Sequence, residues 1–349
     1  MKDTDRIARH LDMGSLDKDS VPEWENTYSG RDTGLKTSDL AGLVKFLTIF
    51  LFVVSAGLWT GVSVRGAAPD TVAAPVAASQ SISDFLVVDF IDVGQGNSIL
   101  IRVPGSGGKT ILIDGGKSGN MYSPFDAGRQ VVVPFLKSQG VQRLDQIVLT
   151  HTHDDHVGGL VAVLQDTDIE VAEVLDPMLP ATSGIYRKYL ESIRKRGIKF
   201  TKGKAGMLLD WGPGVRAQVL SPVREYSAST TNNSSIVIRL TCGKISFMLT
   251  GDAEKEPEED MLIYGEGLKS DIIQVPHHGG ETSSSSDFLA AVQPSAAIFM
   301  VGANNKFGHP KASILKKYEK VGAQIYRTDL SGTLTVVTNG EGYEILTEK

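Results

Sequence analysis

The sequence predicts an α/β (α+β) domain of two sheets with helices outside them over residues 84–349, preceded by a single membrane-crossing helix. Three observations predict this. Short β-branched runs recur from residue 84 onward, as strands do. Helix-like stretches fall between those runs in both halves of the domain. A run of 19 uncharged residues, Phe46 to Val64, stands apart from both.

The N-terminal quarter comes first. Residues 1–41 are polar and mixed in charge and read as a disordered cytoplasmic tail, in which His10 is a solvated side chain. Residues 42–64 read as the membrane helix, because 19 uncharged residues at about 1.5 Å each match the hydrocarbon thickness. A cleaved signal peptide is the rival reading, with AAS at 77–79 as a cut site, but 45 residues before the apolar run are too many for one. Seven Lys and Arg precede the run and one, Arg65, follows closely, which puts the N-terminus in the cytoplasm and the rest outside. Residues 65–83, rich in Ala, Pro and Ser, read as a tether.

In the domain, FLVVDFIDV, SILIRV, KTILID and DQIVLT read as strands, and VVVPFLKSQG and LVAVLQDT as helices. SPFDAGR and the Gly-rich segments read as loops. SSIVIRLTC and KISFMLTGD form a hairpin through Gly243-Lys244. SDIIQVP and SAAIFMVG are strands, SDFLAAVQ and KASILKKYEKVG helices, and QIYRTD and GTLTVVT closing strands. GSGGKT at 105–110 imitates a phosphate-binding loop. However, Val103 stands where that motif needs glycine and no helix follows, so it reads as a surface turn.

Composition narrows the function. A net charge of −6 argues against a broadly basic nucleic-acid surface, although bound cations would supply local positive charge. The single cysteine, Cys242, excludes a disulfide framework and a Cys-rich zinc site, and reads as a core residue.

Six of the seven histidines fall at the ends of apolar strands. His151, His153, Asp155 and His156 follow QIVLT directly and read as a loop that splays alternate side chains to two sides of a cavity. Imidazole and carboxylate suit Zn²⁺ or Mn²⁺. Two such ions need further ligands, and LTGD offers Asp252, VPHHGG offers His277 and His278, and GHP offers His309.

These stretches resemble the metallo-β-lactamase superfamily, whose signature is HxHxDH. With DVGQGNS, LIDGG, NNSS, MLTGD, HHGG and VGANNKFGHP, the domain is similar to the soluble metallo-hydrolase domain of ComEC-type DNA-uptake proteins. The resemblance implies an αββα four-layer sandwich with two divalent ions at one edge. It implies His151 and His153 on one ion; Asp155, His156 and a histidine of the HHG pair, by analogy His278, on the other; and Asp252 bridging. Asp114 would orient the cluster. Two departures stand out. No histidine lies between Val157 and Gly251, and Asn233 falls roughly where a further ligand would be; Asn97 replaces the usual final aspartate of DVGQGD.

The chemistry implied is hydrolysis by a metal-bound hydroxide positioned by Asp155, with His277 or His309 protonating the leaving group. Ser283, Ser284, Asn304 and Asn305 are candidate donors to phosphate oxygens. The first substrate choice is a phosphodiester, DNA in particular; cell-wall or lipid-headgroup diesters and a non-enzymatic metal-binding ectodomain are the alternatives. One membrane span cannot form a channel, so a separate channel protein is a candidate partner.

Overall fold

A computed structural model describes residues 84–119, 124–180, 183–227 and 229–349. The expected tail, membrane helix and tether fall on residues 1–83, outside the described residues. Among the described residues no helix is long and apolar enough to cross a membrane.

In chain order the elements are β1 (Leu86–Phe90), β2 (Ile99–Arg102), β3 (Thr110–Ile113), α1 (Val133–Ser138), β4 (Arg143–Leu144), β5 (Gln146–Val148), α2 (Asp154–Gln165), β6 (Glu170–Val171), β7 (Glu173–Asp176), α3 (Gly184–Arg196), β8 (Lys199–Lys202), β9 (Leu208–Leu209) and β10 (Val215–Ser221). The second half holds β11 (Val237–Cys242), β12 (Ile245–Leu249), α4 (Lys255–Met261), β13 (Ile272–Gln274), α5 (Ser286–Val292), β14 (Ala296–Phe299), α6 (Ala312–Lys320), β15 (Gln324–Arg327), α7 (Thr328–Ser331), β16 (Leu334–Thr338) and β17 (Tyr343–Thr347).

One sheet has the order β17-β16-β1-β2-β3-β5-β7-β8 and the other β15-β14-β13-β12-β11-β10-β9. The closing strands β16 and β17 thus return to the first sheet beside β1. Burial on both faces explains the continuous apolar runs. Ile99 and Ile101 of β2 point between the sheets while Leu100 packs under helices, and Ile272 and Ile273 of β13 divide the same way. Helices α1, α2 and α3 cover the first sheet and α4, α5 and α6 the second, giving the four-layer αββα order. Cys242 lies in the layer between the sheets.

Several local expectations need correcting. Residues 154–156 are not a loop: they form the first turn of α2. Gly158 and Gly159 lie within that helix, and position 159 requires glycine because a Cβ there would come 1.8 Å from the Gly115 carbonyl oxygen. SPFDAGR is not wholly loop, since Gly128 opens a π-helical turn leading into α1. Helix α3 and strands β8 to β10 are elements that the sequence reading passes over. Yet α3 carries its own signals: Ser183 caps it by accepting from the Tyr186 N–H, and Gly197 ends it in a left-handed conformation.

Candidate metal centre

The first sheet delivers its side chains from the ends of β3 and β5. Asp114 is fully buried, with φ of 57°, a left-handed conformation that is strained for a non-glycine residue. Its carboxylate accepts the Thr150 N–H and hydroxyl at 2.8 Å each and faces His156 Nδ1 at 2.7 Å. Carboxylate contact at Nδ1 leaves Nε2 of the neutral His156 ring as a free lone pair. The Thr150 hydroxyl, already donating to Asp114, lies 3.2 Å from His151 Nδ1 and imposes the same orientation there. His153 Nδ1 is 3.1 Å from His151 Nε2, and Asp155 stands in the first turn of α2.

The second sheet delivers the rest. The Gln274 side-chain oxygen accepts the Thr250 and Gly251 N–H groups at 2.8 Å each, which fixes the turn carrying Asp252. His277 and His278 both adopt left-handed φ, 51° and 54°. His278 Nδ1 donates to the Met300 carbonyl at 2.8 Å, which aims Nε2 at Asp155 Oδ2 and Asp252 Oδ2, both 3.4 Å away. His277 points elsewhere, with Nδ1 2.7 Å from the Thr282 hydroxyl and 3.3 Å from Glu254 Oε1. His309 sits edge-on to His277, with ring centroids 5.6 Å apart.

Two donor sets result among the described residues: His151, His156 and Asp252, and Asp155, His156 and His278. Asp252 Oδ2 lies 3.9 Å from His151 Nε2 and 3.2 Å from His156 Nε2. Ligand atoms about 2.0–2.2 Å from a tetrahedral ion stand ~3.3–3.6 Å apart, so the spacing fits. Buried Nε2 of His156, Nε2 of His278 and Oδ1 of Asp252 make no hydrogen bond, and such atoms suit an ion better than a packed core.

The electrostatics agree. Burial pushes His151 and His153 below the ordinary histidine value. Burial also opposes charge on His156 and His278, but it is outweighed. Asp252 and Asp114 raise His156 well above its usual range, and Asp252 and Asp155 lift His278 to about 10. Despite their own burial, Asp252 and Asp155 are held below the carboxylate range by those two imidazoles. Burial and the charges of His277 and His278 lower His309 to about 4.

A family model described as the metallo-beta-lactamase superfamily matches residues 91–302, a span that holds every one of these residues except His309. The chain belongs to the metallo-β-lactamase superfamily. It is a metal-dependent hydrolase of that superfamily, related to competence proteins. It is 32% identical over 254 residues to ComE operon protein 3 of Bacillus subtilis, covering 71% of this chain and 32% of that one. It is 33% identical over 247 residues to competence protein ComA of Neisseria gonorrhoeae, covering 70% and 31%. To recombination protein 2 of Haemophilus influenzae it is 32% identical over 251 residues, covering 71% and 28%. The chain thus spans about a third of the length of these relatives.

The candidate phosphate-binding residues of this metallo-β-lactamase domain need revision. Ser283 and Ser284 are fully buried, and their hydroxyls are used internally: Ser283 donates to the Pro276 and Gly280 carbonyls, and Ser284 pairs with the Tyr318 hydroxyl. Neither faces substrate. Asn305 is spent on its own loop, bonding the Gly302 and His309 carbonyls and the His309 N–H; Asn304 is exposed. Asn233 is buried and donates to Glu256. Two residues of that turn meet the histidines instead: Thr231, its hydroxyl 2.6 Å from His153 Nε2, and Asn232, its side-chain nitrogen 3.4 Å from His277 Nε2. Sequence reading also misses Thr150, Glu254 and Thr282. Only the position of Thr150, directly before the histidine motif, could have marked it.

Proposed function

We propose that this chain is a membrane-anchored metal-dependent phosphodiesterase that cleaves DNA on the outer side of the membrane. One observation carries the reading: the donors His151, His156 and Asp252 lie beside the donors Asp155 and His278, with Asp252 Oδ2 3.4 Å from His278 Nε2, a spacing that suits a two-ion hydrolytic centre. The relatives' names, competence and recombination proteins, direct the substrate choice to DNA.

His151 and Asp252, with His153 beside them, would hold one divalent ion, Zn²⁺ or Mn²⁺, and Asp155, His156 and His278 would hold the second. When bound, such ions supply an activated water at neutral pH and offset charge developing on the phosphoryl oxygens. The chain's own residues do the rest. Asp114 and the Met300 carbonyl hold Nδ1 of His156 and His278, so each ring, once deprotonated at Nε2, presents its lone pair without turning. His277 protonates the leaving oxygen, with Glu254 3.3 Å from Nδ1 as its proton relay. His309, lowered to about 4, is neutral near pH 7, so it contributes a hydrogen-bonding ring instead.

The uncharged run Phe46 to Val64 anchors the chain with its N-terminus in the cytoplasm, and a separate channel protein is the partner this arrangement calls for. The test strips the full chain with EDTA, reloads Zn²⁺ or Mn²⁺, and measures cleavage of bis-p-nitrophenyl phosphate and DNA, with Asp252→Ala as control. Metal uptake without cleavage of either substrate rejects the reading.

A further inference from the structure

The loop between β14 and α6 carries His309 and, two residues earlier, Phe307. Among the described residues Phe307 is the one aromatic side chain in the set of large exposed apolar groups, at 48% exposure. A lone exposed apolar residue is ordinary on a protein surface. This one has a particular setting. Its ring lies over that of His309, with centroids 5.8 Å apart at 26°, and His309 in turn contacts the rings of His277 and His278. Phe307 therefore sits at the rim of the metal centre, one ring away from its histidines.

The loop that presents it is braced. Asn305 bonds the carbonyls of Gly302 and His309 and the His309 N–H. The Gly302 N–H reaches the Gln95 side chain across to the other sheet at 3.2 Å. Lys311 Nζ donates to the Phe307 carbonyl at 2.8 Å. Lys306 Nζ stands 5.1 Å from the centre of the Phe307 ring. A half-exposed ring on a braced loop, with one ammonium group over it and another on its backbone carbonyl, in a chain of net charge −6, concentrates positive charge and aromatic surface at the rim of the metal centre.

We propose that Phe307 is a stacking platform for an unpaired base of single-stranded nucleic acid, next to the phosphodiester being cleaved, with Lys306 and Lys311 facing the flanking phosphates. The proposal deepens the phosphodiesterase reading and rests on it for the position of the scissile phosphate. An exposed cation–π contact is weaker than a stacked base, so an incoming base displaces Lys306 from the ring. The freed ammonium then pairs with phosphate. A base locked in a duplex cannot reach the platform, so the ring selects single strands or frayed ends.

The experiment measures equilibrium binding by fluorescence anisotropy. Full-length protein is kept in EDTA so that nothing is cleaved. The probes are a labelled oligothymidylate of about eight nucleotides and an abasic backbone of the same length. The wild type should prefer the base-bearing strand by about tenfold. Phe307→Ala should abolish that preference while leaving abasic binding unchanged, and Phe307→Trp should restore it. Unchanged preference in Phe307→Ala, or equal weakening on both strands, overturns the platform. The two readings separate cleanly. Base preference that follows the ring in a protein that cleaves no diester rejects the phosphodiesterase and keeps the platform. Diester cleavage with a preference indifferent to residue 307 does the reverse.

Discussion

His277 and His278 are adjacent, share a left-handed backbone and have different environments. His278 is buried, with Nε2 3.4 Å from two carboxylates; His277 is partly exposed beside Thr282 and Glu254. The pair should therefore separate experimentally. His278→Ala should lose at least one equivalent of bound metal by elemental analysis, whereas His277→Ala should keep full metal and lower kcat by about 10²–10⁴. Equal metal loss in both variants would reject the assignment. Protonation gives a second prediction. In the metal-free protein His278 titrates near 10 and His156 well above its usual range, so both are imidazolium at pH 7. Each must release its proton before its lone pair can bind an ion. Metal affinity should thus rise with pH throughout the range below about 10, roughly tenfold per pH unit for each proton displaced. Competition with a chelating dye between pH 6 and 9 measures this, and a flat profile would refute it.

Helix α2 shows what an element can hide. The acids Asp154 and Asp155 in its first turn are a favourable helix start, and the apolar run to Leu164 is a helix interior. The double glycine between them nonetheless reads as a loop, since glycine costs about 1 kcal/mol in a helix. The structure explains the cost. Gly159 donates its N–H to the Gly116 carbonyl at 2.8 Å, and its α-carbon faces the backbone of Gly115 and Gly128. Helix and loop touch backbone to backbone, and that contact holds Asp155 and His156 against Asp114. Helix propensity alone would make Gly159→Ala stabilising. Here the added carbon would meet main chain, so the variant should lose about 1–3 kcal/mol, seen as a lower Tm together with lower metal affinity. A Tm at or above wild type would show that the close approach is not needed. The same reasoning separates what was legible from what was not. The histidine motif is local, and strand ends are readable from β-branched runs, so residues 151–156, Asp252 and the HHGG turn are visible in sequence. Thr231 reaching His153 across 78 positions, and Ser283 and Ser284 turning inward, depend on packing that no short window contains.

At the scale of the whole domain, the centre lies where the two sheets meet, between ligands from the first and second halves of the chain. His151, His153, Asp155 and His156 follow β5 of the first sheet, while Asp252 and His278 follow β12 and β13 of the second. Apart from the apolar layer between the sheets, the two halves join at this rim through contacts of buried charge, which contribute weakly because desolvation offsets attraction. An ion held by both sides changes that balance. It binds the folded arrangement and finds no such site in the unfolded chain, so it stabilises by mass action. At about 100 times Kd this amounts to about 2.7 kcal/mol, a Tm rise of about 5–10 °C for a domain of this size. Differential scanning calorimetry of the full chain with EDTA and then with Zn²⁺ or Mn²⁺ measures the shift. Asp252→Ala should lose most of it, because Asp252 is the second-sheet carboxylate facing His151 and His156 of the first. His309→Ala should keep it, since His309 contacts the cluster through its ring and belongs to neither donor set. If both variants retained the full shift, the ion would be held by one sheet alone, and the convergence of the two halves would not be what binds it.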